Sequence, residues 1–422
     1  MSVLTEEQNG DWRTKSSASG WLIALCWLVF TISIIGQYSY NANVTLIEER
    51  FFIQHADAGA VSSFFFVAYG VGQVVSGLLC KKYPLRYVMF AAMAISGLSN
   101  ALIPTFLRIQ FSVIKYIWLV NGLALSVLWP ALIRLLSESL SKEDLSKANV
   151  VMGTTVCTGT FLTYGGSALF VKMGSFQVIF YVAAAISLAV AAVWFFAFPK
   201  LTANHCAGEN NATQDLASTG VSIRLPKAIL WFLAAVAALA VFDNLIKDGL
   251  ITWLPAILKE TYDLPDWSSI LLTMLLPLLG AFAVVVATTL YKKVQNFFIE
   301  LAILFGISGV LIAAVLGLLS TNLLAVTVAC FGVVAMLMSA VNGVITSMIP
   351  LYMREKLGNS GMIAGVLNGF CYLGSTISSY GLGAMAEGWG WTAVFVLFIS
   401  LCGFAVLLGT VGAIAQKGKK DV

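Results

Sequence analysis

Three ionisable side chains interrupt an apolar stretch of the sequence at residues 241–255. Asp243 and Lys247 stand four residues apart, so in a helix they share one face, and Asp248 lies about 100° round from Lys247. An ionisable group at the depth of a bilayer costs at least roughly 2.5 kcal/mol, so such residues normally face a cavity or a partner. The ammonium group offers a contact for an anion, and a carboxyl group in a low-dielectric cavity can exchange a proton. An alternative is that Asp243 and Lys247 simply neutralise each other, which leaves Asp248 unexplained.

Polar side chains in other apolar stretches offer further contacts for a small solute. Tyr38 and Asn41 belong to a dense polar cluster at the end of the first apolar stretch. Thr158 lies in a threonine-rich stretch, and Asn368 and Tyr372 lie in one rich in serine. Hydrogen bonding between helices is the alternative role for such residues. The predicted solute-binding residues are therefore Lys247, Asn41, Tyr38, Thr158, Tyr372 and Asn368, with Asp243 and Asp248 as coupling or charge residues.

The composition is that of a protein that crosses a membrane many times. Of its 422 residues, 59% are hydrophobic and 10% are charged, whereas soluble domains contain about 25% charged residues. The seven cysteines show neither metal-ligand spacing nor a disulfide framework, so we expect no metal site and no disulfide. The first twenty residues or so are polar and no cleavable signal peptide is expected, so the first helix is predicted to act as the insertion signal.

Apolar spans of about twenty residues predict twelve transmembrane helices. The predicted spans are 21–47, 59–80, 87–107, 111–136, 148–171, 177–198, 228–258, 268–290, 297–319, 323–350, 362–385 and 392–415. Most basic residues outside the spans fall on one side, and only Arg50, Arg108, Lys172 and Lys259 fall on the other. Because basic loops stay in the cytoplasm, both termini and residues 199–227 are predicted to be cytoplasmic.

The second half of the chain repeats landmarks of the first. Residues 288–293, a basic turn, echo residues 78–82, and residues 342–350 echo residues 121–130 in their Asn-Gly pair, serine and proline. Each landmark follows the same number of predicted helices in its half. Residues 200–226 are polar and have no repeating apolar face, which is typical of a flexible linker.

This organisation predicts an all-α membrane protein of two pseudo-symmetric six-helix bundles, residues 1–199 and 227–422, joined by the linker at 200–226. Parallel repeats in a membrane imply alternating access to a site where the two bundles meet. Two connecting segments are predicted to be solvated loops. They are residues 48–57, in which His55 is expected to be a surface histidine, and residues 137–147.

The turn after the second predicted helix resembles a signature of the major facilitator superfamily. That signature is Gly-x-Leu-x-Asp-Arg followed by basic residues, and Gly77, Leu79, Lys82 and Arg86 fit it. Lys81 stands at the Asp position, so it cannot form the intracellular gate in which the family's Asp pairs with charges at helix ends. The six-plus-six repeat with a long middle loop is similar to the same superfamily over the whole chain. The resemblance implies that superfamily's fold and a gating turn formed by Gly77, Lys81, Lys82 and Arg86.

Within the superfamily the chain is most similar to the organophosphate:phosphate antiporter branch, which includes glycerol-phosphate and hexose-phosphate carriers. The matching stretches are Tyr69-Gly70, Ser76-Gly77, Asn121-Gly122, Trp129-Pro130, Leu140-Ser141-Lys142, Lys247-Asp248-Gly249 and Trp253-Leu254-Pro255. In that branch a basic residue before the helix-seven glycine binds the substrate phosphate, and Lys247 occupies this place. The branch's second basic residue, an Arg late in helix one, is absent, and Asn41 stands near its position.

The absence of a second cation affects the predicted substrate. A dianionic phosphate is usually held by two cations, and a single Lys lacks the bidentate fork of Arg. With Asp243 and Asp248 beside Lys247, the site is not strongly electropositive. We therefore predict secondary transport of a small organic anion or zwitterion, such as a carboxylate, coupled to a proton or a counter-anion. A sugar-phosphate/phosphate antiporter is the alternative.

A function without transport is a further alternative, namely a solute receptor built on a transporter scaffold. The short predicted cytoplasmic ends offer little surface for a signalling partner. The sequence has no nucleotide-binding glycine loop and no nucleophile motif, so we predict neither an enzyme nor a cofactor, and no nucleic-acid partner. The chain is expected to be a monomeric multi-pass protein of a bacterial inner membrane, whose partners are the solute, the coupling ion and the lipid bilayer.

Overall fold

The computed structural model describes residues 4–202, 227–319, 321, 323–357 and 360–417. It describes their side chains except at residues 4–18, 74, 77–82, 142, 146, 200–202, 227–228, 354–357, 360–362 and 417. All regular structure in the described residues is helical. The helices are α1 (Leu4–Tyr38), α2 (Val44–Phe51), α3 (His55–Lys82), α4 (Leu85–Ile109), α5 (Ile114–Leu125), α6 (Leu128–Ser139), α7 (Lys142–Gly153), α8 (Thr155–Lys172), α9 (Val178–Thr202), α10 (Lys227–Tyr262), α11 (Asp266–Thr273), α12 (Leu275–Gly280), α13 (Ala283–Val294), α14 (Phe297–Leu318), α15 (Leu324–Gly343), α16 (Ile349–Leu357) and α17 (Ser360–Lys417).

Eight helical segments of the described residues are long and apolar enough to cross a membrane. They are Ser19–Phe51, Leu85–Ile109, Phe111–Ser139, Val178–Pro199, Ile229–Tyr262, Phe297–Leu318, Leu324–Met353 and Ile363–Gln416, and the bent pair Asp266–Gly280 and Ala283–Val294 makes a ninth if it is one span. The segment Ile363–Gln416 has 54 residues, more than twice the roughly 20 that cross a bilayer once. Non-helical backbone at Gly390 (φ 74°, ψ 172°) divides it into two arms.

The segment predicted as a loop at residues 137–147 is largely helical, so that prediction is wrong. α6 continues to Ser139, and α7 begins at Lys142. The hydroxyl of Ser141 caps α7 by accepting a hydrogen bond from the Asp144 amide (3.2 Å). The acidic residues Glu143 and Asp144 in the first turn also favour a helix start. A polar stretch can therefore begin a helix when its polar residues are a cap and an acidic first turn.

The second predicted loop, residues 48–57, is also mostly helical. Its first residues belong to α2, which ends at Phe51 and is followed by Phe52 in the left-handed conformation (φ 53°), and α3 begins at His55. Glu48 is 5% exposed because α2 packs against α3 and α10. The prediction of a loop is therefore wrong for this segment, and the prediction that it is solvated is wrong for Glu48, whereas Glu49, Arg50, Gln54 and Asp57 are exposed.

The helix ends form two faces, which we name by the segment between α9 and α10. The linker face holds the connections at residues 82–85, 139–142 and 294–297, the end of α9 and the start of α10. The distal face holds the connections at residues 51–55, 172–178 and 262–266. On the distal face Arg50 lies over the Phe176 ring (5.1 Å) and Lys172 over the Trp267 ring (4.8 Å).

α10 is the helix around which the site is built. α17 packs along it, and α15 contacts it from another side. At Gly374 of α17, an added Cβ would lie 2.3 Å from the Val241 carbonyl oxygen. Only glycine allows the two backbones to approach this closely, and the approach occurs immediately before Asp243.

Candidate functional site

α10 carries all three charges of the central stretch on one continuous helix. Lys247 Nζ lies 3.8 Å from Asp248 Oδ1, and the two side chains are 17% and 7% exposed. Lys247 and Asp243 form no ion pair within 4.0 Å in this conformation of the described residues. The neutralising pair is therefore Lys247 with its neighbour Asp248, and the alternative pairing of Asp243 with Lys247 is wrong for this conformation.

A chain of hydrogen bonds fixes Asp248 between α10, α15 and α17. The hydroxyl of Ser375 donates to Asp248 Oδ2 (2.5 Å). Asn244 Nδ2 donates to Ser375 Oγ (3.4 Å), and Asn342 Nδ2 donates to Asn244 Oδ1 (2.9 Å). Asp248 thus has both a cation and a hydroxyl donor as partners.

Asp243 has the opposite surroundings. Its side chain is 0% exposed, and neither carboxyl oxygen has a hydrogen-bond partner among the described residues. The amide of Asn342 lies nearby but donates to Asn244 Oδ1 and to Cys371 Sγ (3.5 Å). A buried carboxylate that has neither a hydrogen-bond donor nor an ion pair within 4.0 Å is strongly unfavourable, so this position suits the neutral acid.

Tyrosines from α1, α3 and α8 lie around the cluster formed by the three charges. The hydroxyls of Tyr38 and Tyr164 lie within electrostatic range of Asp248. Tyr164 donates a hydrogen bond to the Ile251 carbonyl of α10 (2.6 Å). Tyr372 of α17 also lies within range of Asp248, and its ring packs on Tyr69 (4.7 Å between centroids). The cluster therefore lies where α1, α3 and α8 meet α10 and α17.

Two predicted solute contacts, Tyr38 and Tyr372, thus lie beside the charges. Two others, Asn41 and Asn368, form hydrogen bonds to other helices instead. Asn41 donates to Thr252 Oγ1 and accepts from Ser62 Oγ, each at 2.9 Å, so it links α10 to α3. Asn368 donates to Gln73 of α3. Both side-chain amides form hydrogen bonds between helices here, which is the alternative to solute binding given above for such residues.

Thr158 lies half-buried on α8, one residue from Cys157, whose thiol is within electrostatic range of Lys247. In the predicted gating turn, Arg86 Nε donates to the Phe195 carbonyl (2.8 Å), and its guanidinium lies over the Phe195 ring (3.9 Å). Arg86 therefore binds α9. The side chains of Gly77, Lys81 and Lys82 lie outside the described set.

Ser375, Asn244 and Asn342 are site residues that the sequence prediction did not include. Ser375 follows Tyr372 by three residues, so the two share a helix face, and Asn244 is one turn before Asp248. Asn342 was visible as a repeated landmark. These sequence patterns indicated that each position is polar, but they did not indicate which side chain it binds.

A second charged cluster occupies the distal face and includes His55. His55 Nδ1 lies 3.0 Å from Glu48 Oε2, and His55 Nε2 lies 3.5 Å from Glu260 Oε1 across the interface with α10. Trp391 Nε1 donates to Glu260 Oε2 (2.7 Å), and the Ala56 amide donates to Glu387 Oε1 (2.9 Å). His55, expected to be a solvated surface histidine, is instead 23% exposed and lies between two carboxylates. We call this group, with the ion pairs of Lys259 to Glu49 and to Asp266, the distal clasp.

The charges of the distal clasp determine the protonation of His55. Burial lowers the pKa of His55, but the neighbouring Glu48, together with Glu260 and Glu387, outweighs that effect and raises the pKa above its ordinary value. His55 also packs edge-on against the buried Trp253 (5.5 Å between centroids). Among the described residues no group of three or more His, Cys, Asp or Glu side chains is arranged to hold a metal ion.

Several known proteins are similar to this chain. A "Probable hexose phosphate transport protein" of Chlamydia pneumoniae is 23% identical over 399 residues, covering 86% of this chain and 84% of the relative. "Glucose-6-phosphate exchanger SLC37A2" of Bos taurus is 35% identical over 98 residues, covering 22% of this chain and 19% of the relative. "Vesicular glutamate transporter 1" of Xenopus tropicalis is 27% identical over 154 residues, covering 34% of this chain and 27% of the relative.

The family assignment covers most of the chain, including α10 and its charges. Residues 26–379 match the Major Facilitator Superfamily. The expected superfamily is thereby confirmed, and so is the resemblance to carriers of organic phosphates, because relatives named for hexose phosphates match the chain. This multi-pass membrane protein belongs to the Major Facilitator Superfamily of transporters.

Proposed function

We propose that the chain forms twelve transmembrane helices in two six-helix bundles, residues 1–199 and 227–422, with both termini and the linker at 200–226 in the cytoplasm. The repeated landmarks in the sequence support the two bundles. The division of α17 at Gly390 and the bent pair α11–α13 bring the apolar segments closer to this number. The linker face is then cytoplasmic, and the similarity to Chlamydia proteins supports a bacterial plasma membrane.

The transporter works by rocking its two bundles around the central cluster. The distal clasp joins α2 and α3 of one bundle to α10 and α17 of the other, so this conformation is closed on the distal face. The residues of the clasp must separate when the site opens to that face. The coupling residue is Asp243 or Asp248, and the coupled ion is a proton or a counter-anion.

The transported solute is a small organic anion or zwitterion that contacts Lys247. One observation carries this proposal: at the proposed junction of the two bundles, the partner of Lys247, Asp248, is 3.8 Å away, too far for a good hydrogen bond. The ammonium group therefore keeps donors for a solute oxygen. Tyr38 and Tyr372 line the same place, while Asn41, Asn368 and Thr158 become available as the bundles move apart.

A sugar phosphate exchanged for phosphate is the second candidate, favoured by the relatives named for hexose phosphates. The relative named for glutamate instead favours a carboxylate. The charge of the cluster distinguishes them, because two acids beside one lysine suit a monoanion better than a dianion. Neither candidate requires an enzyme activity, a metal or a cofactor, and the unit that performs it is a monomer.

The test is flux in proteoliposomes with four labelled solutes: glucuronate, glutamate, glucose 6-phosphate and inorganic phosphate. We expect uptake of a carboxylate by the wild type and its loss in Lys247→Ala. Lys115→Ala is the matched control, because Lys115 also lies within a predicted span but its ammonium lies over the Phe64 ring (5.7 Å), away from the cluster. Exchange of glucose 6-phosphate for phosphate would establish the second candidate. Saturable binding without flux would instead establish a receptor.

A further inference from the structure

We propose that Asp243 is the proton-binding site of this transporter, and that Asp248 is the fixed counter-ion of Lys247. The inference rests on the proposed transport function and specifies which acid carries the proton. The two carboxyl groups are five residues apart on one helix and belong to the same chemical type. A difference in their behaviour must therefore come from the groups that surround each of them.

The geometry separates the two acids. Asp248 has Lys247 Nζ at 3.8 Å and the Ser375 hydroxyl on its other oxygen. Asp243 is fully buried, and both of its oxygens lack a hydrogen-bond partner among the described residues. An ionised carboxylate in such a place loses its hydration without compensation, which costs several kcal/mol. Binding one proton removes that cost.

None of the titratable groups around Asp243 donates a hydrogen bond to its carboxyl oxygens or forms an ion pair with them within 4.0 Å among the described residues. On α10 itself these groups are Lys247, which pairs with Asp248, and the like-charged Asp248. On α17 they are the thiols of Cys371 and Cys402, which lie within electrostatic range of Asp243. The group contributed by α15 is the neutral amide of Asn342, which donates elsewhere.

Lys247 connects the proton to the solute. When a solute anion binds Lys247, the ammonium charge is neutralised and no longer favours an ionised Asp243, so the acid keeps its proton. When the bundles open and the anion leaves, water entering the cavity and the free ammonium together stabilise the Asp243 carboxylate, and the proton is released to that water. One proton and one solute anion are therefore bound on one side and released on the other. For a monovalent anion this step moves no net charge.

The first test compares Asp243→Asn with Asp248→Asn in proteoliposomes, with the four labelled solutes named above. We expect an inward proton gradient to drive accumulation in the wild type, and Asp243→Asn to reduce that accumulation by about tenfold or more. Exchange of labelled for unlabelled solute should continue in Asp243→Asn, because the Lys247–Asp248 pair is intact. Gradient-driven accumulation by Asp243→Asn would overturn the inference and leave the proposed function standing. So would a wild type that takes up solute only by exchange and shows no accumulation driven by the proton gradient. Absence of all flux in the wild type would contradict the proposed function itself.

A second test does not depend on flux. Difference infrared spectroscopy of the purified protein detects the carbonyl band of a protonated, buried carboxyl group. We expect part of that band to disappear in Asp243→Asn and to persist in Asp248→Asn. Glu300→Gln is the matched control for the loss of a buried carboxyl band from another place in the fold. Glu300 is also 0% exposed with both carboxyl oxygens unpartnered among the described residues, but it lies on α14. An unchanged band in Asp243→Asn at neutral pH would overturn the inference even if that variant transports nothing.

Discussion

α10 carries two charged clusters about 18 Å apart, and they differ in how their charges are satisfied. In the distal clasp, Lys259 pairs with Glu49 and Asp266, and Glu260 accepts a hydrogen bond from Trp391. Glu260 and Glu49 are also about half exposed, so water completes their hydration. In the central cluster Asp243 is fully buried and lacks any such partner among the described residues.

From this difference we propose that the charges of the distal clasp hold the bundles together and that the charges of the central cluster perform transport. A partly exposed ion pair contributes little, typically about 0–1 kcal/mol, and can open and close repeatedly. A buried and incompletely satisfied group is costly, and beside the proposed solute contact it fits a site that a ligand or a proton satisfies in another state. The clasp therefore fits a closing contact, and the central cluster fits a binding site.

The largest contrast is expected between two lysine truncations on the same helix. Lys247→Ala removes the proposed contact to the solute anion, so we expect uptake to fall by about two to three orders of magnitude. Lys259→Ala removes a partly exposed pair and should leave uptake within a few-fold of the wild type. Initial rates of uptake in proteoliposomes measure both. Equal losses in the two variants would show that the clusters do not differ in the way described.

A smaller contrast is expected in thermal stability. Asp248→Asn weakens the contact to Lys247 and the hydrogen bond from Ser375, so we expect a loss of about 1–3 kcal/mol and a Tm lower by a few degrees. Asp243→Asn replaces an unpartnered carboxyl group by a neutral amide of the same size, so its Tm should be unchanged or higher. Thermal unfolding of the two detergent-purified variants gives the comparison. A lower Tm in Asp243→Asn than in Asp248→Asn would contradict the assigned surroundings.

The smallest effect is a pH dependence of the distal clasp. The pKa of His55 is raised in the closed conformation, in part by Glu260 and Glu387, which separate from it on opening. Protonated His55 therefore stabilises closure fully below the ordinary histidine pKa of about 6.5, and this contribution is lost as pH rises through the raised value.

Spin labels at the exposed positions Gln54 and Asp263 measure this opening as a distance across the distal face. We expect the short distance to dominate at acidic pH and the long one to gain population at alkaline pH. In His55→Gln the distribution should no longer depend on pH in this range. A pH response that survives in His55→Gln would assign the titration to another residue.

The sequence predicted the helical membrane fold because a lipid bilayer permits few alternatives for long apolar stretches. It also located the central cluster, since three charges at apolar depth need an explanation. It did not identify the partner of Lys247, because Asp243 and Asp248 are both close enough along a helix and only α17 decides between them. The Ser375 hydroxyl and the approach at Gly374 come from a distant part of the chain.

The errors on the distal face have a related cause. Glu48 and His55 stand in a polar segment, which on its own is typical of a solvated loop. Their burial depends on Glu260 and Trp391, which come from α10 and α17. A polar group is buried when a distant segment supplies its partner, and local composition does not contain that information.

Chemical rescue of the ammonium at position 247 tests most directly that this charge binds the solute. Lys247→Cys, in a background without Cys157 and Cys371, should transport nothing until bromoethylamine converts the new thiol into an aminoethyl side chain that restores the cation. Uptake should then recover, whereas treatment with iodoacetate, which places an anion at the same position, should leave it absent. Full uptake by untreated Lys247→Cys, or equal recovery with either reagent, would contradict a binding role for this charge.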